Sequence, residues 1–488
     1  MSNFKNSRKA IVRRLMRCLV DRQLAPRDFA QPLHVVVPRW DAKLGDAIIS
    51  SFFFREIRKL GARVTVLTVR ELVDLHRLDF GVDRVIPVTC APTLTRMGPL
   101  VRELGPVDVF VHLVGRIQPI EMLFIRLIRP ARVYSLDDAL HCVNGKLGEA
   151  TMQLNVVERY TRVLLDLGAT RINHDYIVPL PEQWSGSSVA DILVNPYASR
   201  PDKSLSFSRA LSLVRALADV WPQHQIGILC SPASRAEAQQ LERDIARSNV
   251  RALFELDTPR AVAGAIHRAQ VVVSVDTSIV HIAVGLKAAL VAIYPAGNSS
   301  NPWLPPPAPH TRVVFCRHEP RQYLYAGVKK INEFNDLDVI QSVTELLGEP
   351  TAATLILDAD IISGLGVATG TLARQLPLIS RSFPEVAECH PGTLNLQLSR
   401  PLRLIHPHHR SKPLAWTPSG RTREVFDLLR IELEFDHFAQ RVPAWLYVAH
   451  GSPHRQNLMV HEVIATRLEL AGAKRCRMHL PAHAVSLA

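Results

Sequence analysis

The feature that most constrains the fold is an alternation of apolar, strand-like runs with helical patterns, which occurs twice along the chain. In the first half the strand-like runs are 33–38, 63–68, 84–88, 107–113 and 131–136. Helical patterns lie between them, for example over residues 47–61. Alternation of this kind is typical of βαβ units and of a parallel sheet with helices on its faces.

The pattern begins again after PLPEQWSGSS (179–188), whose prolines, glycine and serines indicate a linker. The strand-like runs of the second half are 191–195, 225–230, 250–254, 271–275, 290–294 and 312–316. We therefore predict two Rossmann-like domains, residues 33–180 and 190–348. A ligand-binding cleft is expected outside the carboxyl ends of their strands.

A second break falls near residues 347–354, beyond which prolines, histidines and short β-like runs replace the alternation. One helix is predicted in this part, around residues 422–429. The fold class is therefore α/β, with a separate, mainly β domain over residues 352–488, which is an ordinary size for an independent unit.

Composition narrows the choice of partners. The chain has 58 Lys and Arg against 45 Asp and Glu, a net charge of +13, which indicates an anionic partner such as nucleic acid, a membrane surface or a phosphate-bearing substrate. Its seven cysteines lack any CxxC pair, which argues against a disulfide framework or zinc site and favours the cytosol. No apolar run approaches the roughly 20 residues of a membrane-spanning helix.

The N-terminal region, residues 1–30, is the most basic part of the chain and reads as an amphipathic helix. Its apolar stripe of Ile11, Leu15, Cys18 and Leu19 is surrounded by arginines and lysines, which also argue against a signal peptide. Two interpretations stay open: a helix on an anionic membrane at the inner face of the cytoplasmic membrane, or a helix packed on the body of the protein. Nucleic-acid binding is not expected, because Phe4 is the only aromatic residue among the first 25 residues that could stack on bases.

The richest chemistry lies where the strand 271–275 passes into a helix. A helix start at the carboxyl end of a strand presents backbone N–H groups and a partial positive charge, a natural seat for a diphosphate. Thr277 and Ser278 add hydroxyl donors, Asp276 could hold the loop or accept from a ribose, and His281 could donate to phosphate. The alternative is plain capping by Asp276 or Thr277, with His281 facing solvent.

The stretch VDTSIVHIAVGLKAALVAIY resembles the "D-T-G-x-x-H-x-A-A" segment of glycosyltransferase family 9, the bacterial heptosyltransferases of lipopolysaccharide assembly and their relatives. The matching residues are Asp276, Thr277, His281, Ala283, Val291, Ala292 and Tyr294. Ser278 replaces the family's glycine, and Ala289 stands where a proline is common.

Two further motifs follow the family in the same order. Residues 35–61 resemble its opening "R-x-x-x-x-G-D" element through Arg39, Leu44, Gly45 and Asp46. Residues 191–206 resemble "N-P-G-A-S-x-x-x-K-R-W-P" through Asn195, Pro196, Ala198, Ser199 and Lys203, with Leu205 in place of the tryptophan. Glu237 falls where the family often has a ribose-binding glutamate.

The resemblance implies a GT-B-like, inverting glycosyltransferase that moves a sugar, such as a heptose, from a nucleotide-diphospho-sugar to a lipopolysaccharide or other surface glycan. Asp46 would be the general base, or alternatively a cap of a helix that starts at Ala47. Asn195, Ser199, Lys203, Glu237 and residues 276–281 would hold the donor, without a metal cofactor. A sugar-nucleotide epimerase and a non-catalytic binding module on the same scaffold remain the alternatives.

The tail carries a second resemblance, to the archaeal CTP-dependent riboflavin kinases, which form a small β-barrel. CHPGTLNLQL (389–398) is similar to "P-Y-P-G-T-L-N-V-K-L", GLG (364–366) stands at the glycine-rich turn, and residues 461–480 resemble the closing segment. The resemblance implies Mg²⁺ ligands at Thr393 and Asn395. The flavin-contacting regions are unrecognisable, so we keep two expectations: a second, kinase activity, or a degenerate barrel that binds an acceptor or partner.

Overall fold

The computed structural model describes residues 12–25, 29, 33–181, 190–295, 301–316, 330–348, 354–363, 368–417, 423–436, 440–451, 457–470 and 472–487. The chain divides into two compact units, residues 1–210 with 225–334 and residues 211–224 with 335–488. Within the described part of the chain, no helix combines the length and hydrophobicity that a membrane crossing requires.

The first unit contains two parallel sheets. The strands of the first sheet are β1 (His34–Arg39), β2 (Arg63–Thr68), β3 (Arg84–Pro87), β4 (Val109–Val111), β5 (Arg132–Ser135) and β6 (Gly145–Lys146). Its helices are α1 (residues 12–20), α2 (Leu44–Ile49), α3 (Ser51–Lys59), α4 (Leu94–Leu104), α5 (Pro119–Ile128) and α6 (Val156–Asp166). The strand order is β3-β2-β1-β4-β5-β6. Its central strands are apolar runs that are buried on both faces, as a sheet covered by helices requires.

The second sheet repeats this topology. Its strands are β7 (Ile192–Asn195), β8 (Ile226–Leu229), β9 (Val250–Leu253), β10 (Val271–Val275), β11 (Leu290–Tyr294) and β12 (Thr311–Phe315). The helices that follow its strands are α7 (Phe207–Val220), α8 (Arg235–Ile245), α9 (Pro259–Arg268) and α10 (Ser278–Gly285), of which α7 belongs to the second compact unit from Leu211 onward. The order β12-β11-β10-β7-β8-β9 places the reversal of strand order between β7 and β10, as it lies between β1 and β4 in the first sheet. Ligands of doubly wound sheets bind at such reversals.

The α/β class and the pair of Rossmann-like sheets predicted from the sequence are confirmed. One predicted helix is divided: residues 47–61 fall into α2 and α3, which are separated at Ser50. The Ser50 hydroxyl donates to the carbonyl oxygen of Asp46 at 2.7 Å, and side-chain bonds of this kind compete with regular helix geometry.

The α1 helix packs on the first sheet's helical layer through one of its faces. Met16 and Val20 contact the core there, as does Leu24 after the helix, and Arg13 pairs with Asp137 at 2.6 Å. The opposite face leaves Leu15 58% and Leu19 69% exposed. Residues 12–20 thus pack on the body of the protein, as the second interpretation expects, and the membrane interpretation stays a prediction.

The second unit is built around a closed antiparallel barrel. Its strands and helices are α11 (Asp336–Leu347), β13 (Thr354–Ile362), α12 (Ala368–Ile379), β14 (Leu394–Leu398), β15 (Leu402–Leu404), β16 (His409–Arg410), β17 (Phe426–Glu434), β18 (Val442–Ala449), β19 (Val460–Ala465), β20 (Arg475–Pro481) and β21 (Val485–Leu487). The cycle β17-β18-β19-β14-β13-β20 closes where β20 pairs with β17. Leucine, isoleucine and methionine side chains fill its interior, and α12 packs on the outside.

The helix predicted around residues 422–429 is wrong, since β17 begins at Phe426, and residue 422 lies outside the described residues. From Leu429 to Leu433 buried apolar residues alternate with exposed charged ones, which is the period of a strand. The glycine-rich turn expected at residues 364–366 also lies outside the described residues.

Candidate active-site cleft

A cavity of about 920 Å³ opens in the first unit between the two sheets. It is lined by the segments that follow β1, β7, β8, β9 and β10, so it lies at the carboxyl ends of parallel strands. The cavity wall brings together the candidate base and the candidate donor ligands from distant parts of the sequence: Asp46, Asn195, Ser199, Lys203, Glu237, Asp276, Thr277, Ser278 and His281.

The start of α10 is held by a network of short polar side chains. Thr277 is its N-cap residue, and its hydroxyl accepts from the backbone N–H of Ile279 at 3.3 Å. The Asn195 amide donates to Thr277 Oγ1 and to Ser274 Oγ, both at 3.0 Å. Because Asn195 ends β7 and Ser274 lies in the neighbouring β10, this network joins the two strands at the reversal of strand order. Asn195 thus fixes the helix start.

Lys203 is held by an ion pair. Its ammonium group lies 2.6 Å from the carboxylate of Asp276, which is only 6% exposed. An ammonium group has three N–H donors, so this contact occupies one and leaves the cation at the cavity wall. Asp276 therefore positions the positive charge of Lys203 beside the start of α10, where a diphosphate would need it.

His281 is buried and is not the solvent-facing residue of the alternative interpretation. Burial lowers the pKa of its imidazole to about 4, with Lys203 acting in the same direction and Asp276 opposing it. The ring is therefore neutral at physiological pH, and among the described residues its Nδ1 has no hydrogen-bond partner. A neutral imidazole can donate a hydrogen bond to a ligand, but it brings no positive charge.

The contact between α2 and α10 requires a glycine. A Cβ atom on Gly45 would lie 2.9 Å from His281 Cδ2 and 3.3 Å from Ser278 Cα, closer than such atoms ordinarily approach. Gly45 therefore allows the start of α2 to reach the start of α10 and brings the neighbouring Asp46 to the cavity.

Asp46 does not cap a helix that starts at Ala47, so this alternative is wrong. The helix α2 begins at Leu44 with Lys43 as its N-cap residue, and Asp46 lies in its first turn. Its side chain is 25% exposed, and the Lys43 ammonium is 4.0 Å away. Burial raises the pKa of the Asp46 carboxyl, and the charges of Arg39 and Lys43 oppose that shift. The carboxylate is thus a stronger base than an ordinary aspartate.

Arg39 holds the first turn of α2 through hydrogen bonds. Its guanidinium donates to the Asp46 carbonyl oxygen at 3.4 Å and to the Tyr160 hydroxyl at 2.8 Å. It also bonds the hydroxyl of Ser50, where α2 ends. The arginine of the opening motif therefore holds the backbone that carries Asp46.

Two aromatic residues of the cavity wall were not selected from the sequence. Tyr197 lies inside the 191–206 motif but stands at the position of a family glycine, so the motif gave no reason to select it. Trp303 packs edge-on against His281, with ring centroids 6.3 Å apart. No local pattern in the sequence could have placed this tryptophan, because it depends on a long-range contact.

The candidate metal ligands of the tail lie in the second unit. Asn395 is buried in β14 and lies directly opposite Glu462 of β19, whereas Thr393 is partly exposed before the strand. Within the part of the chain that the structure describes, no group of three or more His, Cys, Asp or Glu side chains could hold a metal ion.

Comparison with known proteins supports a glycosyltransferase fold. Residues 142–325 match the model of glycosyltransferase family 9 (heptosyltransferase). A family 9 glycosyl transferase from Veillonella parvula superposes with a TM-score of 0.54 at 17% identity, covering 66% of this chain and 99% of its own. This similarity shows that the two Rossmann-like sheets have the GT-B-type arrangement.

Two Escherichia coli enzymes are also similar in structure. Heptosyltransferase WaaC with ADP has a TM-score of 0.48 at 16% identity, covering 64% of this chain and 99% of that one. The ADP-heptose lps heptosyltransferase II has a TM-score of 0.45 at 18% identity, covering 64% and 98%. No curated protein sequence matches the chain significantly.

Proposed function

We propose that the chain is an inverting glycosyltransferase that moves a sugar from a nucleotide-diphospho-sugar to a hydroxyl group of an acceptor. The family match over residues 142–325 supports the reaction class. The observation that carries the proposal is that Asp46, a carboxylate with a raised pKa, lines the same cavity as Lys203 and the start of α10. A base and a seat for a leaving diphosphate are thus present together.

In the proposed reaction Asp46 takes the proton of the acceptor hydroxyl as its oxygen attacks the anomeric carbon. The bond from that carbon to the diphosphate oxygen breaks on the opposite face, so the configuration inverts. The backbone N–H groups at the start of α10 and the ammonium of Lys203 stabilise the charge that develops on the diphosphate. These groups supply the positive charge of the cleft, and we propose that it works without a metal cofactor.

Replacement of Asp46 by asparagine tests the proposal. Loss of a general base typically lowers turnover by about 10²- to 10⁴-fold. Nucleoside diphosphate affinity should change little, and Asp41→Asn, an exposed aspartate paired with the same Lys43 at 2.9 Å, is the matched control. Near wild-type turnover of Asp46→Asn would remove Asp46 from the mechanism.

The identity of the donor and acceptor belongs to the proposal as well. The name of the matching family, heptosyltransferase, favours a heptose donor. The motif resemblance implies a lipopolysaccharide or other surface glycan as the acceptor. A panel of ADP-, UDP-, GDP- and CMP-sugars, followed for nucleotide release and for product, decides the class. Transfer supports the proposal, interconversion of sugars would indicate an epimerase, and binding without turnover would indicate a binding module.

We propose further that α1 docks the enzyme on an anionic lipid surface at the inner face of the cytoplasmic membrane. Its outer face presents Leu15 and Leu19 beside the exposed Arg14, and the exposed Arg22 follows the helix. Apolar side chains flanked by arginines fit an anionic bilayer surface, where each basic residue contributes about 1 kcal/mol.

Sedimentation with phosphatidylglycerol vesicles at low salt tests this docking. The variant Leu15→Ser/Leu19→Ser should bind less than the wild type, whereas Leu78→Ser/Leu165→Ser, which changes two leucines that are 63% and 46% exposed elsewhere, should not. These surface variants are preferable to deletion of α1, because the buried face of α1 contributes to the core. If the wild type and both double variants sediment equally, α1 has only a structural role.

A further inference from the structure

Trp303 is an aromatic residue of the cavity wall to which neither the motifs nor the proposed reaction gives a task. The residue is partly exposed, and its ring packs edge-on against His281, with ring centroids 6.3 Å apart. His281 in turn contacts the start of α2, because a Cβ atom on Gly45 would lie only 2.9 Å from its Cδ2. A single residue, His281, thus separates Trp303 from the turn that carries Asp46.

The backbone of Trp303 is held in place from both sheets. Its carbonyl oxygen accepts from the Tyr294 hydroxyl of β11, and its N–H donates to Asn301 Oδ1, both at 3.0 Å. The carbonyl oxygen of Pro302 accepts from the backbone N–H of Val156, the first residue of α6, also at 3.0 Å. A large ring on a fixed backbone loses little conformational entropy when a ligand contacts it. Trp303 is therefore prepared to serve as a binding surface.

The indole determines which part of a ligand fits this surface. Its faces are apolar and electron-rich, so an anionic phosphate group is a poor partner for them. A sugar ring is a good partner, because one of its faces presents C–H groups that carry a small positive charge. A nucleobase also stacks on aromatic rings, but in a nucleotide sugar the diphosphate separates it from the reacting carbon. Since Trp303 lies near Asp46, its surface belongs to the reacting end of the cleft, where the sugars meet.

Two sugar rings meet at the reacting end, and they are held differently. The donor sugar is attached to the diphosphate, which Lys203 and the start of α10 are proposed to bind. The acceptor has no diphosphate, so its ring needs a surface of its own. Within the described residues, the first sheet contributes only residues 42–46 to the cavity wall, and none of these is aromatic. Trp303 supplies such a surface beside the base.

We propose that the acceptor's sugar ring stacks on Trp303, which places the attacking hydroxyl at Asp46 and makes the cleft selective for a sugar hydroxyl over a lipid or peptide hydroxyl. The inference rests on the proposed function and names a determinant of acceptor specificity within the same cavity.

Steady-state kinetics of the intact protein test this role. The donor is the one found with the nucleotide-sugar panel, and the acceptor probe is the oligosaccharide of deacylated lipopolysaccharide. Trp303→Ala should raise the KM of the oligosaccharide about tenfold or more, whereas Trp303→Phe, which keeps an aromatic ring, should stay within about threefold of the wild type. Calorimetric titration with ADP, UDP, GDP and CDP should give wild-type affinities for both variants, because the nucleotide does not contact Trp303.

Leu304→Ala is the matched control. Leu304 is the next residue of the same segment and packs against the same core, but it lies outside the cavity wall. This variant loosens the segment without removing the ring, so it should keep the wild-type KM for the oligosaccharide.

Several results would overturn the inference and leave the glycosyltransferase proposal intact. One is an oligosaccharide KM that Trp303→Ala leaves unchanged, and another is an equal rise in Leu304→Ala, which would assign the effect to the segment. Weaker nucleotide binding in Trp303→Ala would place the ring on the donor side. Transfer by the wild type only to a non-sugar hydroxyl, such as that of a serine peptide, would also refute it. If the wild type transfers no sugar to any acceptor, the inference fails together with the proposed function.

Discussion

The two helices that meet at the cleft begin in different ways. At α10 the Thr277 hydroxyl caps the helix, Asn195 bonds that hydroxyl, and the preceding Asp276 is paired with Lys203. At α2 the N-cap residue Lys43 makes no side-chain capping bond. Asp46, in the first turn, lies 4.0 Å from the Lys43 ammonium. Side-chain hydrogen bonds thus cap the start of α10, whereas no side chain caps the start of α2.

This difference fits two chemical tasks. A seat for a diphosphate works best when its donors are fixed before the ligand arrives, because reorganisation would reduce the stabilisation. A general base needs a lone pair that is free to accept a proton. Asp46 is oriented through its backbone, which Arg39 holds, so its carboxylate stays available. The same local element, a helix start after a strand, would then bind an anion at α10 and accept a proton at α2, because the side-chain partners differ.

The largest expected effect comes from removing the ammonium group of Lys203 beside the start of α10. Lys203→Met leaves Asp276 buried without its partner and removes a positive charge from the diphosphate seat. Leaving Asp276 without its partner should cost about 3–5 kcal/mol of folding stability. The loss of a charge-assisted contact to the diphosphate should lower nucleoside diphosphate affinity on the order of 100-fold. Calorimetric titration measures this, and thermal melting should show a lower stability.

A double variant separates the two causes. Lys203→Met/Asp276→Asn no longer contains an unpaired buried charge, so its melting temperature should recover most of the loss. Its nucleotide affinity should remain low, because the positive charge is still missing. Recovery of both properties in the double variant would mean that Lys203 serves only to neutralise Asp276.

A smaller effect is expected from a substitution at the start of α2, where the pH dependence of turnover should change. The base works only when ionised, so kcat/KM falls as pH falls through the Asp46 pKa, which burial raises. The charge of Lys43 lowers this pKa, and Lys43→Gln should therefore move the acidic limb of the profile to higher pH. Lys59→Gln, at a lysine that pairs with Glu56 at 2.7 Å, is the control and should leave the limb in place.

Stability should respond in a linked way. Because the folded-state pKa of Asp46 lies above its unfolded value, its contribution is favourable below the unfolded pKa and is lost as pH rises through the folded pKa. Asp46→Asn should thus melt at the same or a higher temperature than the wild type at neutral pH. In the kinetic experiment, a pH profile of kcat/KM that Lys43→Gln leaves unchanged would argue that Asp46 is not the group that titrates.

Much of this comparison was accessible from the sequence, and the reasons for the gaps are physical. The strand–helix alternation predicted both sheets, because buried parallel strands need continuous apolar runs. The motifs located Asp46, Lys203 and Asp276, but spacing could not show that Lys203 and Asp276 pair, since 73 positions separate them. Trp303 was missed because its significance lies in its contacts with His281 and the start of α6, which only a packed structure reveals.

The barrel was harder to predict in detail. Residues 426–429 combine two adjacent leucines with polar neighbours, so a short window fits a helix as well as a strand. The pairing of β17 with both β18 and β20 decides in favour of the strand. Helix α12, whose apolar face packs against the outside of the barrel, was not predicted at all.

The smallest effect is expected in the barrel, at Asn395. The cleft collects polar groups after the carboxyl ends of parallel strands, whereas Asn395 is the buried second residue of β14, paired with Ile362 of β13 and Glu462 of β19. The full-length protein should therefore bind CTP and ATP equally with and without Mg²⁺, and Asn395→Ala should leave both titrations unchanged. Gln397→Ala, at an exposed position of the same strand, is the matched control.

The contradicting outcome is Mg²⁺-dependent CTP binding that Asn395→Ala abolishes and Gln397→Ala retains. Because phosphoryl transfer needs a cation between the phosphates, this outcome would assign Thr393 and Asn395 to a metal–nucleotide site and make the chain bifunctional.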